Sequence, residues 1–210
     1  MAGLPLVLAA CTTTGRTRVS DNGPGIDPYY AAMYGDVVGE PFPVDAVDLR
    51  RVDPQFWRRE VDYQTTYAPG TIIVDTPAHY LYLVMAGGRA MRYGVGVGKD
   101  EALQFKGNAT IGRKAEWPGW TPTANMIRRD PERYAAYASG VPGGPGNPLG
   151  PRALYLYRNG QDTHFRLHGT VEPYTIGTNV SSGCVRLMNQ DIIDLYSRVN
   201  SGARVIVQQS

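Results

Sequence analysis

Ala153-Leu154-Tyr155-Leu156-Tyr157-Arg158-Asn159-Gly160-Gln161-Asp162-Thr163-His164-Phe165-Arg166-Leu167-His168 decides the fold of this chain. Two β-prone runs flank Asn159-Gly160, a pair suited to a type I′ turn in which both central residues have positive φ. The reading is a hairpin with strands over 153–157 and 164–168, and it leaves His168 at a strand end. Upstream, 71–76 and 79–85 read as strands, Gly87-Gly88 as a hairpin turn and 90–97 as a further strand, so an antiparallel sheet is expected. His79 falls in that strand context and reads as structural. Downstream, Ile192, Leu195, Tyr196 and Val199 recur at helical spacing behind Asn189, a suitable N-cap, and the helix is expected to end near 200–202 before a last strand over 203–208. Residues 107–150 look least like a plain sheet. Asp130-Pro131-Glu132-Arg133 starts a helix there running to about Ala138, with Trp117, Trp120 and Tyr134 around it, and a Gly/Pro-rich loop follows. This excursion is read either as a lid over a groove or as an ordinary packed segment.

Composition bounds the rest. The chain has 210 residues, 42% of them apolar, and a formal charge of +2. That length buries a core, and the balanced charge excludes a disordered chain and a strongly nucleic-acid-binding one. No run approaches the ~20 apolar residues of a membrane-spanning helix. At the N-terminus, Leu4-Pro5-Leu6-Val7-Leu8-Ala9-Ala10-Cys11 is a short apolar run ending in small residues before a cysteine. It resembles a bacterial lipobox, which makes Cys11 the candidate lipidation site and anchors the chain to a membrane in the cell envelope or periplasm. No Lys or Arg precedes it. The expected organisation is a signal over 1–11, a flexible tether over 12–27, an extension with one or two helical turns packed on the domain over 28–67, and a catalytic domain over 68–210.

The chemistry lies in His168-Gly169-Thr170 and, after one loop, Ser181-Ser182-Gly183-Cys184-Val185-Arg186-Leu187-Met188-Asn189. A thiol becomes a strong nucleophile as a thiolate, and an imidazole produces that by taking the proton. Cys184 is the candidate nucleophile and His168 the candidate base. Gly183 permits a tight turn in which the Gly183 and Cys184 amides face the carbonyl under attack. Gly169 allows a neighbouring chain to approach and frees its own carbonyl to orient the second ring nitrogen of His168, the task of a triad aspartate. Ser182 either bonds the base or an oxyanion, or shapes the loop. Arg186 either holds a substrate carboxylate or braces the loop by a salt bridge. Asn189 and Asp191 read as helix capping. A Cys11–Cys184 disulfide and a zinc site from His164, His168 and Cys184 are weaker readings.

The pair HGT and SSGCVRLMNQD resembles the signature of the L,D-transpeptidase catalytic domain, the YkuD domain, and Asn147-Pro148-Leu149-Gly150 resembles the stretch ahead of the family's histidine strand. The likeness covers roughly residues 68–209. Many members carry a second histidine where this chain has Ser182. The resemblance implies a mainly β, antiparallel, sandwich-like fold with one or two helices, and a thioester on Cys184 formed with peptidoglycan stem peptides. D-Alanine is released, an amine acceptor completes a cross-link, and no metal or cofactor is needed. Thr170 becomes a substrate-binding candidate beside Arg186, and carbapenems become expected acylators of Cys184. The acceptor is a second stem, an envelope protein's amine, or water. Water would make the chain an L,D-carboxypeptidase or hydrolase, and a non-catalytic peptidoglycan-binding envelope lipoprotein is the remaining reading.

Overall fold

A computed structural model describes residues 25–100 and 104–208. Cys11 and the lipobox lie outside the described residues, as does most of the stretch read as a tether. The strands are β1 (Arg59–Asp62), β2 (Ile72–Asp75), β3 (Tyr80–Met85), β4 (Arg89–Gly94), β5 (Val97–Gly98), β6 (Gly107–Glu116), β7 (Arg152–Arg158), β8 (Gln161–His168), β9 (Asn179–Ser181), β10 (Val185–Arg186) and β11 (Arg204–Gln208). The helices are α1 (Pro28–Met33), α2 (Ala124–Arg129), α3 (Pro131–Tyr134) and α4 (Asn189–Arg198). Nine strands form one sheet in the order β1-β4-β3-β2-β11-β6-β7-β8-β10, and β5 pairs with β9.

The hairpins are antiparallel, and Asn159 and Gly160 both have positive φ, 51° and 76°. Three pairings are parallel: β11 with β2, β10 with β8, and β5 with β9. Each joins strands far apart in sequence, which a hairpin cannot do. Residues from both halves of the strand order, Leu81 and Tyr93 with Leu167 and Val185, share one core with Ile192 and Leu195 of α4. Gly96, just beyond β4, bridges to Arg186 in β10. The sheet therefore curls until its two ends meet, giving the sandwich-like form. Residues 184–186, with the candidate nucleophile Cys184, sit on that seam.

Three expectations need correction. The segment read as least sheet-like opens with β6, ten residues long and paired with both β11 and β7. Its Gly112 lies under the Tyr157 ring, where a Cβ would come within 2.2 Å, so an aromatic covers a strand glycine at the register shift that cuts short the Ala109–Ile111 alternation. The expected helix to Ala138 is two short helices, α2 capped by Thr123 and α3 capped by Asp130, followed by a 3-10 turn at Ala135–Tyr137. His79 lies in the turn before β3 with φ 58°, its Nε2 2.8 Å from Asn179 Oδ1.

The extension packs on the domain and also contributes β1 to the sheet edge. Tyr34, Leu49 and Trp57 form a second apolar cluster with Ile176 and Met188. Gln190 Nε2 donates to the carbonyls of Gly35 and Asp45, each at 3.0 Å. Asp191, fully buried in the first turn of α4, receives the Tyr34 hydroxyl at 3.2 Å and lies 3.6 Å from Arg58 Nη1. Glu40 pairs with buried Arg152 at 2.5 and 2.9 Å and accepts Trp117 Nε1 at 2.8 Å, so Trp117 ties the excursion to the extension.

Candidate active site

Register places the candidate catalytic residues. β10 runs parallel to β8 with Val185 opposite Leu167 and Arg186 opposite His168. Val185 and Leu167 point into the core; Arg186 and His168 therefore share the other face, and Cys184, two residues before Arg186, shares it too. That face lines a cavity of about 910 Å³. Its opposite wall is the 119–137 excursion, including Trp120, Met126, Arg129, Arg133, Tyr134 and Tyr137. The excursion covers the groove as a lid does, and its aromatics pack together, Trp120 with Tyr134 and Tyr137 at 6.2 and 6.1 Å.

His168 is buried, and its Nδ1 lies 2.6 Å from the Gly169 carbonyl oxygen. A carbonyl only accepts, so the ring proton sits on Nδ1 and Nε2 keeps the basic lone pair. Burial first, then the Arg186 and Arg166 guanidiniums, hold the imidazole well below its ordinary 6.5, at about 3, against the opposing pull of Gly169. Cys184 has no disulfide partner among the described residues; it is a partly exposed thiol whose Sγ lies 3.9 Å from the His164 carbonyl oxygen. Burial pushes its pKa up. Both shifts favour the neutral forms, thiol and imidazole.

The loop before the thiol is braced by Ser181, whose hydroxyl donates to the Cys184 carbonyl at 2.5 Å and accepts the Gly183 amide at 3.1 Å. The Gly183 N–H, read from sequence as an oxyanion donor, is thus already engaged. Ser182 Oγ lies 2.6 Å from the Tyr134 hydroxyl, which joins lid to loop. Arg186 Nη1 donates to Glu172 Oε2 at 2.9 Å. Thr170, read as a substrate contact, is instead buried off the cavity wall. Its hydroxyl accepts the Glu172 amide at 3.0 Å and its own amide donates to Asn189 Oδ1 at 2.9 Å. Asn189 is thereby drawn away from capping α4, whose N-cap position is Met188 with no side-chain cap.

Sequence reasoning missed Arg129, the Tyr134–Ser182 contact and the His164 carbonyl. His164 has φ 63° at a bulge in β8, its amide held by Asp162 Oδ1 at 2.8 Å. A left-handed, non-glycine residue inside a strand is a conformation that local propensity does not announce.

Residues 69–207 match the family model described as the L,D-transpeptidase catalytic domain, YkuD. The chain is 43% identical over 96 residues to the "Probable L,D-transpeptidase ErfK/SrfK" of Escherichia coli K12, covering 46% of this chain and 29% of that protein. It is 33% identical over 154 residues, 72% of this chain and 74% of the other, to the "Putative L,D-transpeptidase in ATP synthase subunits region ORF 5" of Fuscovulum blasticum. Among solved structures, a Brucella melitensis protein described as a probable carnitine operon oxidoreductase superposes with a TM-score of 0.51 at 49% identity, covering 76% of this chain and 98% of that one. The chain spans about a third of the length of the first two Escherichia coli relatives it matches.

Proposed function

Because the chain belongs to the YkuD family of L,D-transpeptidase catalytic domains, we propose that it is a cysteine acyltransferase acting on peptidoglycan tetrapeptide stems. The observation that carries this reading is the shared sheet face of Cys184 and His168, with the Gly169 carbonyl fixing the tautomer that leaves Nε2 basic.

In this reading Sγ leaves the His164 carbonyl and passes its proton to Nε2 of His168, which lines the same cavity. Sγ attacks the carbonyl carbon of the third stem residue while its proton passes to Nε2. The oxyanion is received by the Cys184 amide, since Gly183 donates to Ser181. Collapse expels D-alanine, whose amine takes the proton back from His168 and leaves a thioester. An amine from a neighbouring stem attacks that thioester, gives its proton to His168, and expels the Cys184 sulfur, which recovers the proton. Burial of the imidazole favours the return of the proton in each half-reaction. Peptidoglycan as substrate places the protein in the cell envelope, with Cys11 as its lipid attachment point.

Mass spectrometry on the protein incubated with tetrapeptide muropeptides, beside Cys184→Ala, tests the reading. Cross-linked dimers with a Cys184 adduct are expected, and none with the variant. Tripeptide without dimers would make water the acceptor; an adduct surviving in Cys184→Ala would remove the nucleophile assignment.

A further inference from the structure

The charges around the cavity do not cancel locally. Arg166 is held by Asp162 in two contacts of 2.6 and 2.9 Å, and Arg186 by Glu172. Arg129, in the last turn of α2, and Arg133, in α3, also line the cavity from the lid side, and neither pairs with a carboxylate among the described residues. Asp130, between them, is spent as the cap of α3, accepting the Arg133 amide at 3.2 Å. The Arg133 guanidinium lies 5.4 Å from the centroid of the Tyr134 ring, and the hydroxyl of that ring contacts Ser182, two residues before Cys184. One arginine is thereby placed, through a single aromatic residue, beside the catalytic loop.

Building on the acyl-transfer reading, we propose that Arg129 and Arg133 form a carboxylate-reading pair on the lid that selects stems with a free carboxylate on one of the two residues flanking the scissile bond. A guanidinium fork matches a carboxylate with two parallel hydrogen bonds, and both arginines are exposed at the cavity, with room to turn onto such a ligand. Two stem carboxylates have this chemistry: that of the leaving D-alanine and the side-chain carboxylate of the third residue. A lid bearing the reader couples recognition to the catalytic loop, because α3 carries both Arg133 and Tyr134, whose hydroxyl contacts Ser182.

The test measures kcat and KM for three tetrapeptide stems: unmodified, amidated at the C-terminus, and amidated at the side-chain carboxylate. Wild type is compared with Arg129→Gln, Arg133→Gln, the double variant and Arg133→Lys. One amide is expected to lower wild-type kcat/KM roughly ten- to a hundredfold, mainly through KM, and its position identifies the carboxylate read. The double variant is expected to treat that amide and the free acid alike, and Arg133→Lys to retain part of the preference. Adduct formation without discrimination in wild type, or full discrimination in the double variant, overturns the inference alone. No Cys184 adduct from any of the three stems overturns the acyl-transfer reading and this inference with it.

Discussion

The Tyr134 hydroxyl lies 2.6 Å from Ser182 Oγ, linking a lid helix to the loop that presents Cys184. Tyr134→Phe keeps the ring against Trp120 and removes only that contact. The expected result is a severalfold lower kcat/KM and faster amide exchange across 124–137. A double-mutant cycle with Ser182→Ala should return a coupling of about 1 kcal/mol. Strict additivity of the two substitutions would mean the lid and the loop move independently.

His168→Ala removes the basic Nε2 and leaves the Gly169 carbonyl without its donor. The expected loss is ~100- to 10,000-fold in the acylation rate, the range for general acid–base work. Near-native acylation would move the base to His164, whose backbone already touches the thiol.

The sequence made local features legible and hid those that depend on distant chain. Asn159-Gly160 states its own turn, and Pro131 behind Asp130 states its own helix start, because each signal rests on neighbouring residues. His168-Gly169 followed by a loop and Gly183-Cys184 similarly pointed to the candidate base and thiol, which the structure brings to one cavity. β6 was hidden because its alternation is short, Ala109 and Ile111 only, before Gly112 interrupts it at a register shift against β7 and polar Arg113 and Lys114 follow. The bond from Asn189 to Thr170 spans 19 residues and the contact from Tyr134 to Ser182 spans 48. Neither follows from propensity; both are set by the tertiary packing of segments distant in sequence.

Two buried groups give acid stability opposing contributions. The folded His168 titrates at about 3 against an ordinary 6.5, so between those values the unfolded chain binds a proton that the folded one refuses. Stability from this group falls as pH falls. Burial pushes folded Asp191 up to about 7 from 3.8, with Arg58 and Tyr34 opposing. Between 7 and 3.8 the folded state keeps a proton that the unfolded one has lost, and stability from this group rises as pH falls. Each full proton difference is worth about 1.4 kcal/mol per pH unit. Urea midpoints from pH 7.5 to 4.5 should therefore show Asp191→Asn losing stability on acidification more steeply than wild type, and His168→Asn less steeply. Three parallel profiles would show that neither group titrates differently on unfolding.

Gly169→Ala tests whether the residue after the base is small for reasons of space. Its φ is not left-handed, so an alanine meets no backbone strain there; the obstacle is the surroundings. A Cβ would stand 2.3 Å from Asn189 Oδ1, 3.0 Å from Pro151 Cδ and 3.3 Å from Gly150 Cα. The proline ring and the glycine backbone cannot yield far, so Asn189 must, and its oxygen is the acceptor that holds the Thr170 amide. The expected cost is about 1–3 kcal/mol in urea unfolding, together with reduced acylation as the His168-Gly169-Thr170 turn loses its anchor. Asn189→Ala on its own should destabilise by releasing Thr170, yet in the double variant it also removes the clash. The combined loss should therefore fall short of the sum by at least ~0.5 kcal/mol. A strictly additive pair would place the strain on Pro151 instead and leave Asn189 a bystander to the fit of Gly169.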